Sequence, residues 1–457
     1  MLYSQILTAA ALVVSVSAAS SSSGGSSAAH SSSASDHSSS ASAAGSSSKS
    51  DSSSKSGSSS KSGSSSKSGS SSKAGANGQT VGGVLAVAAL VDWSYGVLAA
   101  SAVFAAYKVW ESRPKNELLR PRTSGVDSLI GNTPMVEIES LSRLTGCKIY
   151  AKLELMNPAG SAKDRVALAV IRENEKLGKL KPHNGDVIFE GTSGSTGISF
   201  TVLANALGYT AHICLPDDTS PEKMQLLKSL GAELEPVKPA PIVDPNQYTN
   251  AARNGAAKIN SEEGRNAIFA DQFENDFNWR IHYATTGPEI WEQMQHKIDA
   301  FVTGSGTGGT ISGVSKYLKS KSPHTRIILA DPQGSGLANR VNYGVMYDTV
   351  EKEGKRRRHQ VDTMVEGIGL NRLTWNFKQG EQNIDQAFRV TDEQAVKMAK
   401  FLCVNDGYFW GLKTAKELGP GHDIVVIACD SGARHLSKFW KDAAEVPSSI
   451  TLEQVLE

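Results

Sequence analysis

Short apolar runs alternate with segments of helical periodicity from about residue 118 towards the end of the chain. The apolar runs have the length of buried strands and cover residues 148–154, 186–190, 211–215, 299–303, 326–330 and 423–429. The helical segments between them include residues 164–177, 197–207, 221–230 and 311–318. Because these strands are apolar on both faces and alternate with helices, we predict an α/β fold in which parallel-rich twisted sheets are covered by helices.

The N-terminal part of the chain has a different pattern. Residues 1–19 have the apolar core and small-residue end of a secretory signal peptide, although no Lys or Arg precedes that core. Residues 20–80 are rich in Ser, Gly and Lys, with repeated six-residue units, and predict a flexible stalk because they have nothing to bury. Residues 81–110 are apolar, apart from Asp92 and Lys108.

The last part of this apolar segment, from Trp93 to Trp110, is long enough to span a bilayer. About 18 residues at a rise of 1.5 Å give about 27 Å. Basic residues follow it, and the positive-inside rule places the globular part on the cytosolic side. We therefore predict a membrane anchor at residues 81–110. A buried or interfacial apolar helix is the alternative.

The same N-terminal pattern also allows other origins. A Ser-rich stalk followed by an apolar segment resembles the tail of a lipid-anchored surface protein. A chain that joins such a protein to an unrelated anchored protein would look the same, so residues 1–91 need not belong to the same gene product. The signal-like segment leaves the secretory route open as well.

Charge and cysteine spacing argue against several classes of partner. The net charge is +1, and the one dense basic run, residues 355–359, is more typical of a solvated loop than of a nucleic-acid site. Cys147, Cys214, Cys403 and Cys429 are scattered, without CxxC spacing. We therefore expect a reducing compartment for the globular part, no metal site and no nucleic-acid partner.

Two glycine-rich loops follow predicted strands. GTSGSTG spans residues 191–197 and GSGTGGT spans residues 304–310, and each leads into a helical segment. Backbone amides at the N-terminus of a helix can approach an anion closely, and the helix dipole favours negative charge there. Loops at the carboxyl ends of parallel strands are also where α/β folds bind ligands. The sequence therefore predicts two anion sites.

Two cofactors are candidates for the second loop. Gly304, Gly306 and Gly309 match the G-x-G-x-x-G dinucleotide pattern, and Asp331 lies near the position of a ribose-binding acid. However, Asp331 belongs to what we predict to be a further loop. A nicotinamide enzyme also has no use for the first loop or for the lysine of the motif NPAGSAKDR. Pyridoxal 5'-phosphate needs a phosphate cradle, a carboxylate pocket and a lysine amine, and so uses all three.

That lysine, Lys163, stands in a turn marked by Pro and Gly at the predicted start of a helix. A solvated surface lysine is the alternative for this residue taken alone. The positive end of the helix dipole and limited access to solvent would favour the neutral, nucleophilic amine. A lysine that forms a Schiff base has to react as this neutral amine.

Five motifs together resemble those of one enzyme family. NPAGSAKDR, EGTSGSTGIS, TTGPEIWEQ, TGSGTGGTISG and VEGIG are similar to motifs of the cysteine synthase and cystathionine β-synthase group of fold-type II pyridoxal-phosphate enzymes. The resemblance implies a two-lobed catalytic domain at residues 118–445, with the smaller lobe at about 165–275, the larger lobe formed by the rest, and a tail at 446–457. It also implies a homodimer. The chain resembles most the membrane-anchored cysteine synthase-like proteins of fungi, which implies the mitochondrial outer membrane.

The resemblance implies roles for individual residues. Lys163 would form an aldimine with the cofactor and later remove the α-proton of the substrate. The cofactor would also be bound by Ser195, Gly304, Gly306, Thr307, Gly308, Gly309 and Thr310. The amino-acid substrate would be bound by Thr192, Ser193, Thr196, Gln272 and Gly367. The implied reaction is β-replacement, in which O-acetylserine or a similar activated serine gives an aminoacrylate that sulfide converts to L-cysteine.

Two departures from the family pattern leave alternatives open. Ser195 replaces an asparagine that contacts the hydroxyl of the cofactor ring. After Gly411, the serine-rich turn and helix that supply the partner of the pyridine nitrogen are missing, and only residues 412–418 can form a helix before the next strand. The chain is then a working enzyme, a cofactor-binding protein with weak or no catalysis, or a truncated form of a working enzyme. Cystathionine β-synthase-like and serine or threonine dehydratase activities are the alternative reactions.

Overall fold

The computed structural model describes residues 125–261, 265–348, 363–408, 419–430, 432, 435–436 and 439–456. The predicted signal-like segment, stalk and membrane anchor lie outside these residues. So do the basic run at 355–359 and the short helix predicted at 412–418. No helix in the described ranges is both long enough and apolar enough to cross a bilayer.

Strands and helices alternate along most of the described chain. The strands are β1 (Met135–Glu137), β2 (Lys148–Leu153), β3 (Val187–Gly191), β4 (Thr210–Pro216), β5 (Glu233–Val237), β6 (Ala267–Phe269), β7 (Ala300–Thr303), β8 (Arg326–Pro332), β9 (Gln386–Val390) and β10 (Asp423–Ala428). The helices are α1 (Glu139–Thr145), α2 (Lys163–Lys176), α3 (Ser195–Leu207), α4 (Pro221–Ser229), α5 (Tyr248–Asn260), α6 (Phe277–Ile281), α7 (Gly287–Gln293), α8 (Gly309–Lys321), α9 (Leu337–Tyr343), α10 (Trp375–Lys378), α11 (Asp392–Asp406), α12 (Phe439–Glu445) and α13 (Leu452–Leu456). Short 3-10 turns occupy Val126–Leu129, Glu154–Met156 and Glu381–Asn383, and a π-helical turn, His282–Thr286, joins α6 to α7.

The described strands form two sheets. The larger sheet has the order β1-β2-β10-β7-β8-β9, and the smaller sheet has the order β5-β4-β3-β6. Within these sheets β1 and β2 pair antiparallel, and the other pairings are parallel. A central strand such as β3 is buried along its whole length because helices cover both faces. The arrangement confirms the predicted α/β class with parallel-rich sheets.

Helices bury apolar side chains on both faces of each sheet. On the smaller sheet, α2 and α3 contribute Val170 and Phe200 to one core, and α5 contributes Ala252 to the core on the other face. On the larger sheet, Val426 and Phe301 belong to the cores of opposite faces. Each fully buried Val or Phe side chain stabilises the fold by about 1.5–3 kcal/mol. This packing holds rigid the strand ends from which the functional loops emerge.

All the predicted strands are present, and no end differs from the predicted end by more than two residues. The apolar pattern does not predict β1, β5, β6 or β9. Strands β1 and β6 have only three residues each, and β5 is a partly exposed edge strand. The prediction of a loop around Asp331 is wrong. Pairing with β9 keeps Asp331 and Pro332 extended as the last residues of β8.

Candidate active site

A pocket lies at the carboxyl ends of β7 and β10. Lys163, residues 303–311, residues 366–368 and residues 429–430 line it. Lys163 is the first residue of α2, the glycine-rich loop connects β7 to α8, and residues 429–430 follow β10. Segments that are far apart in the sequence therefore meet where parallel strands end.

The turn that carries Lys163 is fixed by the end of β10. Ala162 donates its amide hydrogen to the carbonyl oxygen of Cys429 at 3.0 Å. Ser161 forms an isolated β-bridge with Asp430 and accepts a hydrogen bond from the Lys163 amide at 3.1 Å on its Oγ. The backbone on the N-terminal side of Lys163 is thus held against the larger sheet. This places the lysine on the pocket wall.

Asp430 is a pocket residue to which the sequence analysis assigns no role. Its carboxylate accepts hydrogen bonds from Ser161 Oγ and, at 2.6 Å, from Ser195 Oγ. Ser195 is the first residue of α3, on the smaller sheet, so Asp430 ties the lysine turn to the start of that helix. One sequence signal for Asp430 is its position directly after a predicted strand.

The glycine-rich loop at residues 304–310 packs so closely that side chains would not fit. A Cβ at Gly306 would lie 2.0 Å from the carbonyl oxygen of Gly367. A Cβ at Gly308, which has a φ of +90°, would lie 2.5 Å from the backbone nitrogen of Phe377. Ser305 Oγ is buried and has no hydrogen-bond partner among the described residues. An anionic ligand with several oxygen atoms would satisfy such a loop.

Two threonines of this loop are held by the helical segment that runs from α6 to α7. Asn278 Nδ2 donates to Thr307 Oγ1 at 2.8 Å. His282 Nε2 lies 3.2 Å from Thr310 Oγ1. Burial lowers the pKa of His282 to about 3, so its ring is neutral at pH 7 and one of its nitrogens is an acceptor. His282 starts the π-helical turn, a feature that often occurs at functional sites.

The first glycine-rich loop leads from β3 into α3, at the carboxyl end of the smaller sheet. Thr192 Oγ1 accepts a hydrogen bond from the amide of Gly194 at 3.2 Å, and Ser193 lies between them. Residues 192–196 do not line the pocket described above. The connection between this loop and the pocket runs through the contact with Asp430.

Thr196 and Gln272 are brought together as a pair. Thr196 Oγ1 donates to Gln272 Oε1 at 2.6 Å, and Gln272 Nε2 donates to Glu190 Oε1 at 3.1 Å. Burial, with the nearby charge of Asp271, raises the pKa of Glu190 to about 8. Glu190 is therefore mostly protonated at pH 7. The sequence motifs include Glu190 but do not assign it a role.

A buried ion network lies close to Lys163 in the sequence and involves Arg165, on the same first turn of α2. The Arg165 guanidinium bonds both oxygens of Glu154, at 2.7 and 2.8 Å, and both oxygens of Glu289, at 2.6 and 2.7 Å. Lys152 Nζ donates to Glu289 Oε2 at 2.7 Å. Burial alone would raise the pKa of Glu289, but Arg165 and Lys152 lower it to about 2. The charges of the two cations and the two carboxylates cancel, which makes their burial tolerable. The network also anchors α2 to α7.

A second set of charges includes a residue that lines the pocket. Glu366 lines the pocket and forms an ion pair with Lys223 of α4, and its Oε2 lies 3.0 Å from His435 Nδ1. Burial would raise the pKa of Glu366, but the His435 hydrogen bond and the Lys223 charge lower it to about 2. Because α4 belongs to the smaller sheet, this contact joins the two sheets on the side of the glycine-rich loop.

Comparison with known proteins finds relatives over the same region. The family described as pyridoxal-phosphate dependent enzyme matches residues 126–430. The chain is 59% identical, over 77% of its length and 93% of the relative, to a Saccharomyces cerevisiae protein provisionally named a mitochondrial cysteine synthase. It is 54% identical to cysteine synthase 2 of Emericella nidulans, over 73% of this chain and 83% of the relative. The crystal structure of a hydrogen sulfide-producing enzyme from Fusobacterium nucleatum is similar with a TM-score of 0.57 and 30% identity, over 69% of this chain and 100% of that chain.

Proposed function

The chain belongs to the cysteine synthase and cystathionine β-synthase family of pyridoxal-phosphate dependent enzymes, and on that premise we propose that it catalyses β-replacement on an activated serine. In this proposal O-acetylserine and sulfide are the substrates, and L-cysteine and acetate are the products. The Cβ–O bond breaks and a Cβ–S bond forms, so no oxidant or reductant is needed. The observation that carries the proposal is the pocket that unites Lys163 with the glycine-rich loop at residues 304–310.

The glycine-rich loop fits the phosphate of the cofactor. The proposed phosphate ligands are Gly304, Gly306, Thr307, Gly308, Gly309 and Thr310, at the N-terminus of the 13-residue helix α8. Their amides and the dipole of this helix favour an anion. The buried hydroxyl of Ser305, which has no partner in the part of the chain that the structure describes, supports this role because a phosphate oxygen could accept its hydrogen bond.

Lys163 is the residue to which we assign the covalent contact with the cofactor. Bound pyridoxal phosphate supplies an aldehyde and a ring that withdraws electrons from the substrate Cα. Lys163 is the lysine that lines the pocket, so its amine is the group in place to hold the aldehyde. The same amine is the proposed base that takes the proton from Cα. Ser195, whose hydroxyl donates to Asp430 at 2.6 Å, is proposed to lie beside the cofactor ring.

The start of α3 is the proposed site for the substrate carboxylate. Thr192, Ser193 and Thr196 belong to the loop and first turn of this helix, where the dipole favours an anion. The side-chain amide of Gln272 is fixed by Thr196 at its oxygen and by a carboxyl group at its nitrogen. That carboxyl, Glu190, is mostly protonated at pH 7 and therefore adds little negative charge next to a bound carboxylate.

Gly367 is the proposed contact on the opposite side of the pocket. It lies against Gly306 and has a φ of +86°, and nothing lies within 4 Å of the place where a Cβ would stand. The backbone there can turn towards a ligand without a side chain in the way. This supports the assignment of Gly367 to the substrate site.

A product assay on the full chain tests the proposed reaction. We expect L-cysteine from O-acetylserine plus sulfide, and much less cystathionine from serine plus homocysteine, measured by mass spectrometry. Lys163→Ala should abolish product, whereas Lys179→Ala, which removes an exposed lysine beyond the end of α2, should not change the rate. Cystathionine as the main product would contradict the choice of substrates. Bound cofactor without any product would identify a cofactor-binding protein instead.

Membrane attachment and a homodimeric state are proposals that rest on the sequence and the family resemblance alone. The anchor at residues 81–110 lies outside the described residues. The mitochondrial location belongs to the name of the Saccharomyces cerevisiae relative. We propose that the full chain resists carbonate extraction from mitochondrial membranes, with its catalytic domain facing the cytosol, and that deletion of residues 81–110 releases it. Extraction of the full chain into the soluble fraction would contradict the anchor.

A further inference from the structure

A cluster of possible metal ligands lies on the smaller sheet, outside the active site. His212 and Cys214 are two residues apart on β4 and therefore point to the same face. Glu235 pairs with Cys214 on the neighbouring edge strand β5. His212 Nε2 lies 3.0 Å from Glu235 Oε2, Cys214 Sγ lies 3.4 Å from the same oxygen, and all three ligand atoms lie within 4.8 Å of one another.

We propose that this cluster binds a zinc ion through His212 Nε2, Cys214 Sγ and Glu235 Oε2, with water as the fourth ligand. Zinc bonds of about 2.3 Å to sulfur and about 2.0–2.1 Å to nitrogen and oxygen, at tetrahedral angles, place the sulfur and oxygen about 3.5 Å apart and the nitrogen and oxygen about 3.3 Å apart. The corresponding distances here are 3.4 and 3.0 Å. The nitrogen and the sulfur lie within 4.8 Å of each other, and they would have to be about 3.5 Å apart in the zinc site.

A second carboxylate orients the histidine for this role. Glu233 pairs with His212 across the two strands, and its Oε2 lies 3.1 Å from His212 Nδ1. The ring of His212 also stacks on Phe189, with the ring centroids 4.4 Å apart. A carboxylate on Nδ1 keeps the proton there and leaves the lone pair of Nε2 for a metal, which is the usual second layer of a zinc site. Glu233 thus gives the cluster a feature that a chance group of polar residues lacks.

The charges and ligand types of the cluster favour zinc over magnesium or calcium. Imidazole and thiolate are ligands of the softer transition metals, whereas magnesium and calcium prefer oxygen alone. Zinc binds cysteine as the thiolate, and one thiolate with one carboxylate neutralises the two charges of the ion.

The site adjoins a loop of the proposed active site but does not depend on the proposed function. The carbonyl oxygen of Cys214 accepts a hydrogen bond from the Thr192 amide at 2.9 Å, at the start of the first glycine-rich loop. A zinc ion would therefore fix the edge strand β5 to the strand that supports this loop. The sequence predicts no metal site because the ligands come from two strands, and only the strand register brings them together.

Zinc content measured on the full-length holoenzyme tests the proposal. After equilibrium dialysis against buffered free zinc, we expect His212→Asn, Cys214→Ser and Glu235→Gln each to lower the bound zinc by one ion per chain. Glu235 is half-exposed, so its variant should fold even if the variant at the buried cysteine does not. Cys403→Ser is the matched cysteine control and His296→Asn the matched histidine control, because His296 also contacts a glutamate. Both controls should keep the zinc.

The ligand set is tested separately by X-ray absorption at the zinc edge. We expect one sulfur at about 2.3 Å and nitrogen or oxygen ligands at about 2.0–2.1 Å. Glu233→Gln should weaken zinc binding by about 10- to 100-fold while the same ligands remain. A zinc edge without sulfur, or unchanged zinc content in Glu235→Gln and Cys214→Ser, would overturn the proposal.

Discussion

Replacement of Gly306 by alanine tests how the glycine-rich loop fits the cofactor phosphate. The added Cβ would lie 2.0 Å from the carbonyl oxygen of Gly367, whereas a Cβ essentially never comes within 3.0 Å of an atom outside its own and the two adjacent residues. The two loops must therefore move apart by about 1 Å. The amide of Gly369 donates to the carbonyl oxygen of Ser305 at 2.8 Å, so this movement stretches the hydrogen bond that joins the loops.

The expected loss of cofactor affinity follows from the overpacking at Gly306 and from the stretched hydrogen bond between Gly369 and Ser305. A lost hydrogen bond costs about 0.5–1.5 kcal/mol, and overpacking costs about 1–3 kcal/mol. When the loop has to return to its wild-type conformation for the cofactor to bind, the variant loses about 2–4 kcal/mol of binding free energy. That loss raises the Kd for pyridoxal phosphate by about 30- to 1000-fold.

Titration of the cofactor-free protein with pyridoxal phosphate, followed by absorbance, measures this Kd. Gly178→Ala is the control, because Gly178 has a φ of +69° and nothing within 4 Å of an added Cβ. It lies just beyond α2, away from the glycine-rich loop, so alanine there should lower the Tm slightly and leave the Kd unchanged. A wild-type Kd for Gly306→Ala would refute the reasoning.

Three further substitutions test the surrounding groups. Burial raises the pKa of Glu190 to about 8, so its contribution to stability is complete below the unfolded pKa and is lost as the pH rises towards 8. The free energy of unfolding of the wild type minus that of Glu190→Gln, measured by urea unfolding, should therefore fall by a few kcal/mol between about pH 4.5 and pH 8. A difference that does not change with pH would contradict this. Arg165→Met leaves two buried carboxylates without their main cation and should lower the free energy of unfolding by about 3–5 kcal/mol. The control Arg172→Met, on the surface of the same helix, should lower it by less than about 1 kcal/mol. Asp430→Asn should shift the absorbance maximum of the bound cofactor and lower kcat at unchanged cofactor content, and an unaltered spectrum and kcat would argue against a positioning role.

The strands marked by an apolar run and the glycine-rich loops could be predicted because their signals are local. An apolar run such as 299–303 needs only its own residues to mark it as buried. The loop that follows needs glycine because Gly306 and Gly308 pack against backbone atoms of other segments. Lys163 could be found in the same way, since a lysine in a Pro/Gly turn is unusual in itself.

The contacts made by register and by distant segments could not be predicted. Asp430 meets Ser195 only because β10 lies beside the strands that end at the pocket, and the two residues are 235 positions apart. Glu235 meets Cys214 because β5, which the apolar pattern does not mark, pairs with β4 in one register. The pKa of Glu190 likewise depends on complete burial, which no single motif shows. Such features require the assembled sheets.

Reduction of the holoenzyme with borohydride, followed by peptide mapping, tests the central claim most directly. The treatment makes permanent the bond between the cofactor and the amine that holds it. We predict the phosphopyridoxyl label on the peptide that contains Lys163, which lines the pocket beside the glycine-rich loop. Label on another lysine, or none on this peptide, would contradict the account.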